Sequence, residues 1–314
     1  MKVLYLTPNF SNFFAATYDG MITSISPYCD LTLYGPGYKP FDDFNSNRDI
    51  LEVVNYLYGG DGPDVILMWD IEGSGWAGDF TNLDKINCLK VFWTVDTHND
   101  AVPHRLKYLK DAKINLILTT YDKAQESSYT KIFKTLGLPI EFYPFSVDHT
   151  MFRPMGIPHK YDVAVIGNMS SSYYPLRNRA HEALKDAGYR YHHPFIKQYV
   201  REEFARHINE CKICVTCSGS FKGLVQKYYE VTACGTLLMA DSCMDLEDQH
   251  FISGHNFVEV NEGNVFEKVQ YYLSHPEEAQ RIADQGRADI LRYHTHDIRA
   301  KELMEILNKY VGSN

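Results

Sequence analysis

An acid and a histidine stand two positions apart directly after a strongly apolar run. Leu89–Thr94 has the length and composition of a buried strand, and Asp96 and His98 follow it. Histidine titrates near neutral pH and a carboxylate can orient its imidazole ring, so the pair has the composition of a general base. Two alternatives stay open. Asp96 caps the next helix while His98 packs on the sheet, or Asp96, His98 and Asp100 hold a metal ion.

A second candidate site lies in the other half of the chain, where a loop of small residues joins a strand to a helix. The loop runs from Ser218 to Leu224, and the helix is predicted to begin near Val225. Small residues allow main-chain N–H groups at a helix N-terminus to approach an anion such as a diphosphate. Lys227 lies one helical turn before Glu230, so its ammonium group is expected to pair with this carboxylate or to reach a phosphate.

Three cysteines follow one another at intervals of three residues, at positions 211, 214 and 217. This spacing is compatible with a metal ion, but tetrahedral zinc needs four ligands, and no fourth cysteine or paired histidine follows at a suitable distance. Packing of the three thiols in and beside a strand is the favoured interpretation. The odd total of seven cysteines also favours reduced thiols over a disulfide framework.

The elements that must position these residues alternate between short apolar runs and segments of helical periodicity, which is the pattern of an α/β protein. Strands are predicted at 3–6, 65–69, 89–94, 116–119, 141–143, 161–166, 213–216, 237–240 and 258–260. Helices are predicted at 49–58, 122–136, 175–187, 199–210, 277–293 and 296–310, with Asp122 as the N-cap of the second.

Two series of such elements are separated by prolines at 144, 154 and 158, which places a domain boundary between about 150 and 158. The last two helices follow one another without a strand between them. The sequence therefore predicts two doubly wound α/β domains, at 1–153 and 154–293. A C-terminal helical segment at 294–314 is expected to pack back toward the first domain.

The composition disfavours several classes of protein. The chain has 314 residues, of which 45% are hydrophobic and 23% charged, as in ordinary folded domains. The net charge is −9 and the acidic excess lies in the first 150 positions, so nucleic acid is an improbable partner or acceptor. No apolar run approaches the roughly 18 residues needed to span a membrane, and no signal-peptide pattern opens the sequence. A cytoplasmic location is the default expectation.

The stretch from Lys227 to Asp241 resembles the donor-site helix and strand of the GT-B glycosyltransferases. In that superfamily a Glu opens a short helix that continues into Ala-Cys-Gly and an apolar strand, and here Glu230 precedes Ala233-Cys234-Gly235. The resemblance is closest to the spore-maturation-protein-type glycosyltransferases. It covers about 160–300 and includes the pair Gly167-Asn168 after the first strand of that region.

The resemblance implies a GT-B fold, in which two Rossmann-like domains face one another across a cleft and C-terminal helices brace both. It also implies a hexosyltransferase that takes its sugar from a nucleoside diphosphate sugar, with a UDP-sugar as the favoured donor. A glycan, a protein or a small molecule would be the acceptor. Neither a metal ion nor a further cofactor is expected.

The same resemblance assigns roles to residues. Glu230 would accept hydrogen bonds from the donor ribose hydroxyls, and Asp96 and His98 would form the acceptor-side catalytic pair. Many retaining members carry a second Glu eight positions before the first, where this chain has Lys222. A cation accepts no hydrogen bond, so the donor sugar and the retention of configuration stay open. Lys222 instead becomes a candidate to neutralise a phosphate.

Basic residues near the first strand of the donor domain are a further feature of the superfamily. Arg177 and Arg179 are the nearest candidates here, with ordinary helix-surface charges as the alternative. The complete set of predicted donor-binding residues is Gly167, Asn168, Arg177, Ser218, Lys222, Gly223, Leu224, Lys227 and Glu230.

Two other functions are compatible with the sequence. A nucleotide-sugar epimerase on the same fold would bind the same donor and need no acceptor. A non-catalytic nucleotide-sugar-binding module would bind the donor without turnover, and the replacement of a Glu by Lys222 is the feature that supports this possibility.

Overall fold

The computed structural model describes residues 1–11, 16–70, 80–95, 102–169, 173–193 and 199–312. These residues form two compact units. Unit 1 consists of Met1–Ser11, Ile22–Pro144 and Ala300–Asn314, and unit 2 of Asn12–Met21 and Phe145–Arg299, as far as they are described. The chain therefore passes from unit 1 to unit 2 at the first of the three prolines, nine residues before the boundary expected from the sequence.

Unit 1 is built on a six-stranded parallel sheet of order β2-β1-β3-β4-β5-β6. Its strands are β1 (Lys2–Leu6), β2 (Asp30–Tyr34), β3 (Val65–Asp70), β4 (Leu89–Thr94), β5 (Leu116–Thr119) and β6 (Ile140–Phe142). The helices of unit 1 are α2 (Lys39–Asp43), α3 (Ile50–Tyr58), α4 (Val102–Asp111) and α5 (Ser128–Lys134). Helix α1 (Ala16–Thr23) belongs to unit 2 as far as Met21 and to unit 1 from Ile22.

Burial explains the composition of these elements. All six residues of β4 are buried, because a central parallel strand is covered on both faces. Helix α3 turns Ile50, Val53 and Val54 toward the same core as the sheet. It begins where the Asp49 carboxylate accepts a hydrogen bond from the Leu51 N–H, and it ends at Gly59 in the left-handed conformation.

Unit 2 is built on a five-stranded parallel sheet of order β11-β10-β9-β7-β8. Its strands are β7 (Tyr161–Val165), β8 (Tyr191–His192), β9 (Cys211–Val215), β10 (Leu237–Ala240) and β11 (Val258–Glu259). Its helices are α6 (Pro175–Leu184), α7 (Glu202–Asn209), α8 (Gln226–Ala233), α9 (Val265–Ser274), α10 (Pro276–Tyr293) and the start of α11 (His296–Tyr310).

The last helix belongs to both units by sequence. Residues from Ala300 onward are part of unit 1, where Lys309 and Tyr310 donate hydrogen bonds of 2.6 and 2.7 Å to the Glu141 carboxylate. The predicted cleft between domains and the predicted bracing by C-terminal helices concern the arrangement of the two units and stay predictions. No helix within the described ranges is long and apolar enough to cross a membrane.

The α/β class and most strands are confirmed, and β4, β5 and β10 have the predicted bounds. Strand β2 was not predicted, because it lies at the sheet edge and only its last residue, Tyr34, is buried. The predicted start of α5 at Asp122 is wrong. Asp122 has φ +63° and its carboxylate accepts hydrogen bonds from the N–H groups of Glu126 and Ser127, so it shapes a turn, and Ser127 caps the helix.

Two buried histidines lie at the junction of α10 and α11. His294 Nε2 is 2.9 Å from the Gln249 carbonyl, and its Nδ1 is 3.2 Å from the Arg299 guanidinium. Burial, reinforced by Arg299, lowers the pKa of His294 to about 3. His296 Nδ1 lies 2.8 Å from the Ser146 hydroxyl, and burial lowers the pKa of His296 to about 4. Both imidazoles are therefore neutral in the folded protein at neutral pH.

Unit 2 is expected to lose stability when the pH falls from about 6.5 to 4. Burial also lowers the pKa of His207 to about 4, so three histidines take up protons more readily in the unfolded chain across this window. Each then reduces the free energy of unfolding by about 1.4 kcal/mol per pH unit. Urea unfolding at several pH values measures the slope. His296→Gln should reduce this slope, because it removes one of the three histidines that take up protons on unfolding.

Candidate functional site

Neighbouring strands β9 and β10 bring two loops together at the carboxyl edge of the unit 2 sheet. The strands pair in parallel, with Val215 opposite Met239. The residues that follow them therefore leave the sheet at the same edge, where ligands bind in open α/β folds. Ser218 begins the loop after β9, named here the β9–α8 loop and comprising residues 218–224, and Asp241 is the first residue after β10.

The β9–α8 loop doubles back tightly at Gly219. This residue has φ +80°, and a Cβ atom there would lie 2.9 Å from the Phe221 ring and 3.1 Å from the Tyr173 carbonyl. The next N–H, of Ser220, donates a hydrogen bond of 2.7 Å to that carbonyl. Only glycine tolerates both the positive φ and the close approach of the Phe221 ring and the Tyr173 carbonyl. This explains locally why the loop contains a small residue at position 219.

Helix α8 follows the loop with an uncapped N-terminus. Its N-cap residue, Val225, offers no side-chain acceptor. Within the described part of the chain, the main-chain N–H groups of Gly223, Leu224, Gln226 and Lys227 make no hydrogen bond. These groups and the positive end of the helix dipole form a cradle that suits an anion.

Glu230 and Lys227 lie one turn apart on α8, as predicted from their spacing. Lys227 Nζ is 3.9 Å from Glu230 Oε2, and the side chains are 24% and 4% exposed. Burial lowers the pKa of the Lys227 ammonium group, and the Glu230 carboxylate partly opposes this shift. The pair therefore places a buried carboxylate next to a partly accessible cation, and the carboxylate lies three to seven residues along the chain from the open N–H groups.

The Ala-Cys-Gly sequence ends α8 and turns the chain into β10. Gly235 adopts φ +71°, and its N–H donates a hydrogen bond of 3.0 Å to the Thr232 carbonyl. Cys234 packs against α7, with Sγ 3.9 Å from the Ala205 carbonyl. This motif fixes the position of α8 on the sheet and thereby the position of Glu230.

Asp241 is a site residue that the sequence analysis missed. Its carboxylate accepts hydrogen bonds from the Ser218 N–H and hydroxyl, from Lys222 Nζ at 3.0 Å and from the Tyr228 hydroxyl at 3.0 Å. Lys222, which was predicted to neutralise a phosphate, is thus paired with a carboxylate. A sequence signal existed, because a charged residue directly after the apolar run 237–240 must lie at the carboxyl edge of the sheet.

Arg177 has a different environment from a surface phosphate ligand. It is 3% exposed, and its guanidinium donates hydrogen bonds of 3.1 and 2.8 Å to the carbonyls of Asn168 and Cys217. It also stacks on Tyr174, with Cζ 4.0 Å from the ring centre. Arg177 thus ties together the loops after β7 and β9, and its contact with a donor stays a prediction.

Gly167 and Asn168, two further predicted donor residues, lie in the loop after β7. Gly167 has φ +114°, and a Cβ atom there would lie 2.5 Å from the Arg177 guanidinium. The Asn168 carbonyl accepts a hydrogen bond from the same group. The structure therefore brings eight of the nine predicted donor residues to the loops after β7 and β9 and to α8, and Arg177, on α6, reaches these loops through its side chain.

The predicted catalytic pair, Asp96 and His98, and the alternative metal ligand Asp100 lie outside the described residues. Among residues that are described, no group of three or more His, Cys, Asp or Glu side chains is arranged to hold a metal ion. Cys211, Cys214 and Cys217 are buried in and just after β9, as the packing interpretation expected.

Residues 151–305 match a protein-family model described as glycosyl transferase-like. This range contains the whole β9–α8 loop, α8 and Asp241. A search of curated proteins gives no significant match.

Solved structures with the same fold cover nearly the whole chain. A sucrose-phosphate synthase from Thermosynechococcus elongatus has a TM-score of 0.73 at 11% identity and covers 99% of both chains. Anabaena HepE, solved with UDP and glucose, has a TM-score of 0.65 at 12% identity and covers 98% of this chain and 100% of its own. The lipopolysaccharide galactosyltransferase WaaB has a TM-score of 0.59 at 12% identity, with the same coverage. The fold is therefore GT-B.

Gly167→Ala is expected to destabilise unit 2 more than Gly188→Ala. Both glycines have positive φ, but a Cβ atom at Gly188 meets nothing within 4 Å, whereas at Gly167 it meets the Arg177 guanidinium. Backbone strain costs about 1–3 kcal/mol at either position, and Gly167→Ala adds the displacement of a buried arginine. Urea unfolding measures both losses. Equal losses would show that the contact with Arg177 does not constrain position 167.

Proposed function

We propose that the chain is a glycosyltransferase that binds a UDP-sugar on unit 2 and transfers its hexose to an acceptor. The match of residues 151–305 to a glycosyl transferase-like family and the GT-B fold support this proposal. UDP as the nucleotide is supported by a structure of the same fold, Anabaena HepE, which was solved with UDP and with UDP-glucose.

One arrangement carries the proposal. The open N–H groups at the start of α8 lie three to seven residues before Glu230, and the Lys227 ammonium group lies 3.9 Å from the Glu230 carboxylate. A nucleoside diphosphate needs hydrogen-bond donors for its phosphates and an acceptor for its ribose hydroxyls, and this helix offers both in that order. The ribose hydroxyls would bind the Glu230 carboxylate beside Lys227 or in its place.

The chemistry that follows is electrostatic. When the bond between sugar and diphosphate breaks, negative charge accumulates on the departing diphosphate. Preorganised N–H groups at a helix N-terminus stabilise that charge without having to reorient, and Lys222 and Lys227 add positive charge nearby. Asp96 and His98 are proposed as the acceptor-side base, which would take a proton from the attacking hydroxyl group.

The finer assignments belong to the same proposal. A hexose is the proposed transferred group, and no metal ion is proposed to take part. Membership of the spore-maturation-protein type and a cytoplasmic location stay predictions from the sequence. Asp241, the first residue after β10, is added to the proposed donor site, since it contacts Ser218 and Lys222.

Release of UDP tests the class of reaction. The full chain is incubated with UDP-glucose and UDP-galactose, alone and with a panel of glycan, protein and small-molecule acceptors. A glycosyltransferase should release UDP much faster when one acceptor is present, because transfer then replaces slow hydrolysis. Interconversion of the two sugars without an acceptor would identify an epimerase instead, and binding without turnover across the panel would identify a binding module.

Glu230→Gln should weaken UDP binding about tenfold, because an amide offers one acceptor oxygen without charge to two ribose hydroxyls. Calorimetry with UDP and 2′-deoxy-UDP isolates the ribose contribution. The wild type should prefer UDP, and the variant should lose most of this preference. Glu267→Gln, the same change at an exposed position on α9, is the matched control. An unchanged preference for UDP would remove Glu230 from the ribose site.

A further inference from the structure

The carboxylate of Asp241 binds groups of the protein through both of its oxygens. Oδ1 accepts hydrogen bonds from the Ser218 N–H at 2.7 Å and the Tyr228 hydroxyl at 3.0 Å. Oδ2 accepts from the Ser218 hydroxyl at 2.9 Å and Lys222 Nζ at 3.0 Å. The Tyr228 hydroxyl has one proton, which it shares between Oδ1 and the Asp241 main-chain carbonyl, so the two carboxylate oxygens hold three full hydrogen bonds and part of a fourth. Its side chain is 13% exposed.

The four donors come from three separate pieces of the proposed donor site. Ser218 opens the β9–α8 loop, Lys222 lies at its far side, and Tyr228 lies on α8. Asp241 itself follows β10. The Tyr228 hydroxyl also lies 2.7 Å from the Asp241 carbonyl, so this residue is held through both its side chain and its main chain. One carboxylate thereby connects both ends of the loop to the helix that follows.

Lys222 has an unusual backbone for a lysine. Its φ of +57° lies in the left-handed region, where a side chain is disfavoured. Its N–H donates to the Gly219 carbonyl at 3.1 Å, and its carbonyl accepts from the Met244 N–H at 2.8 Å. The ion pair with Asp241 is the third restraint. Because the Lys222 side chain is 57% exposed, such a pair adds little stability, and its main effect is on geometry.

We propose that Asp241 is a positioning residue that holds the β9–α8 loop in its anion-binding shape and directs the Lys222 ammonium group toward the donor diphosphate. An ammonium group has three N–H donors, and the pair with Asp241 occupies one, which leaves two for phosphate oxygens. The identity of the ligand rests on the proposed function. The restraint on the loop rests only on the contacts of Asp241.

Asp241→Asn separates positioning from simple neutralisation of charge. If Asp241 only cancelled the charge of Lys222, removing its negative charge would strengthen the binding of an anion. If Asp241 positions Lys222, the amide cannot replace the carboxylate. Its NH₂ group takes the place of one oxygen and then faces either the Ser218 N–H or the Lys222 ammonium group, and it can accept a hydrogen bond from neither. A positioning role therefore predicts that Asp241→Asn binds UDP more weakly, whereas simple neutralisation of charge predicts that it binds UDP more tightly.

Calorimetry with UDP, UMP and uridine provides the first measurement. Asp241→Asn should weaken UDP about tenfold and leave uridine within about twofold, because only the phosphates meet Lys222. Lys222→Met should do the same, and the double variant should be no weaker than either single one. Glu247→Gln, an exposed carboxylate in the same β10 loop, should bind like the wild type. Tighter or unchanged UDP binding by Asp241→Asn, equal losses for uridine, or additive losses would overturn the proposal.

Hydrogen exchange of the ligand-free protein provides the second measurement. Asp241→Asn should speed exchange of the hydrogen-bonded amides of Ser218, Ser220 and Lys222 by about tenfold or more, with little change in unit 1. Tyr228→Phe removes one hydrogen bond to the carboxylate and keeps the ring packed near Phe251 and Phe257, so it serves if Asp241→Asn does not fold. Unchanged exchange in the loop would overturn the restraint. Failure of the wild type to bind UDP, with faster loop exchange in the variants, would refute the proposed function and the role of Lys222 toward a diphosphate.

Discussion

An ionised carboxylate just below the protein surface must be surrounded by hydrogen-bond donors, and this requirement organises the carboxyl edge of unit 2. The Asp241 carboxylate meets it with donors from Ser218, Lys222 and Tyr228. Ser218 and Lys222 lie at different points of the β9–α8 loop and Tyr228 lies on α8, so neither the loop nor the helix can move without leaving the carboxylate short of a partner. The shape of the β9–α8 loop and the place where α8 begins both depend on this one group.

The buried Arg177 guanidinium also holds loops at this edge of the sheet, but it does so by donating hydrogen bonds to main-chain carbonyl groups. The Arg177 guanidinium gathers carbonyl groups from the loops after β7 and β9, and Gly167 has no side chain because the guanidinium fills the space a Cβ atom would need. Hydrogen-bond donors gather around the Asp241 carboxylate, and main-chain carbonyl acceptors gather around the Arg177 guanidinium. Together these contacts hold the loops that follow β10, β9 and β7, which are neighbours in the sheet. Both sets of contacts follow from the need to satisfy buried polar groups.

The balance of charge then explains how the site can attract an anion. Lys222 is paired with Asp241, and Lys227 lies 3.9 Å from Glu230, so each lysine side chain has a carboxylate beside it. The main-chain N–H groups at the start of α8 have no such counterpart among the described residues. Their positive potential is fixed by the fold and needs no ionised group, which suits the binding of a diphosphate.

Local patterns in the sequence are enough to predict the periodic features of the fold. Apolar runs predicted the parallel strands, and the Ala-Cys-Gly stretch after Glu230 predicted the helix and strand of the donor region, because strand burial and helix termination are local properties. The hydrogen-bond partners of the site residues depend instead on how the strands are arranged in the sheet. That Lys222 meets Asp241, nineteen positions away, and that Arg177 reaches Cys217, forty positions away, depends on the order β10-β9-β7 in the sheet. Strand order comes from the packing of the whole unit, and no local pattern encodes it.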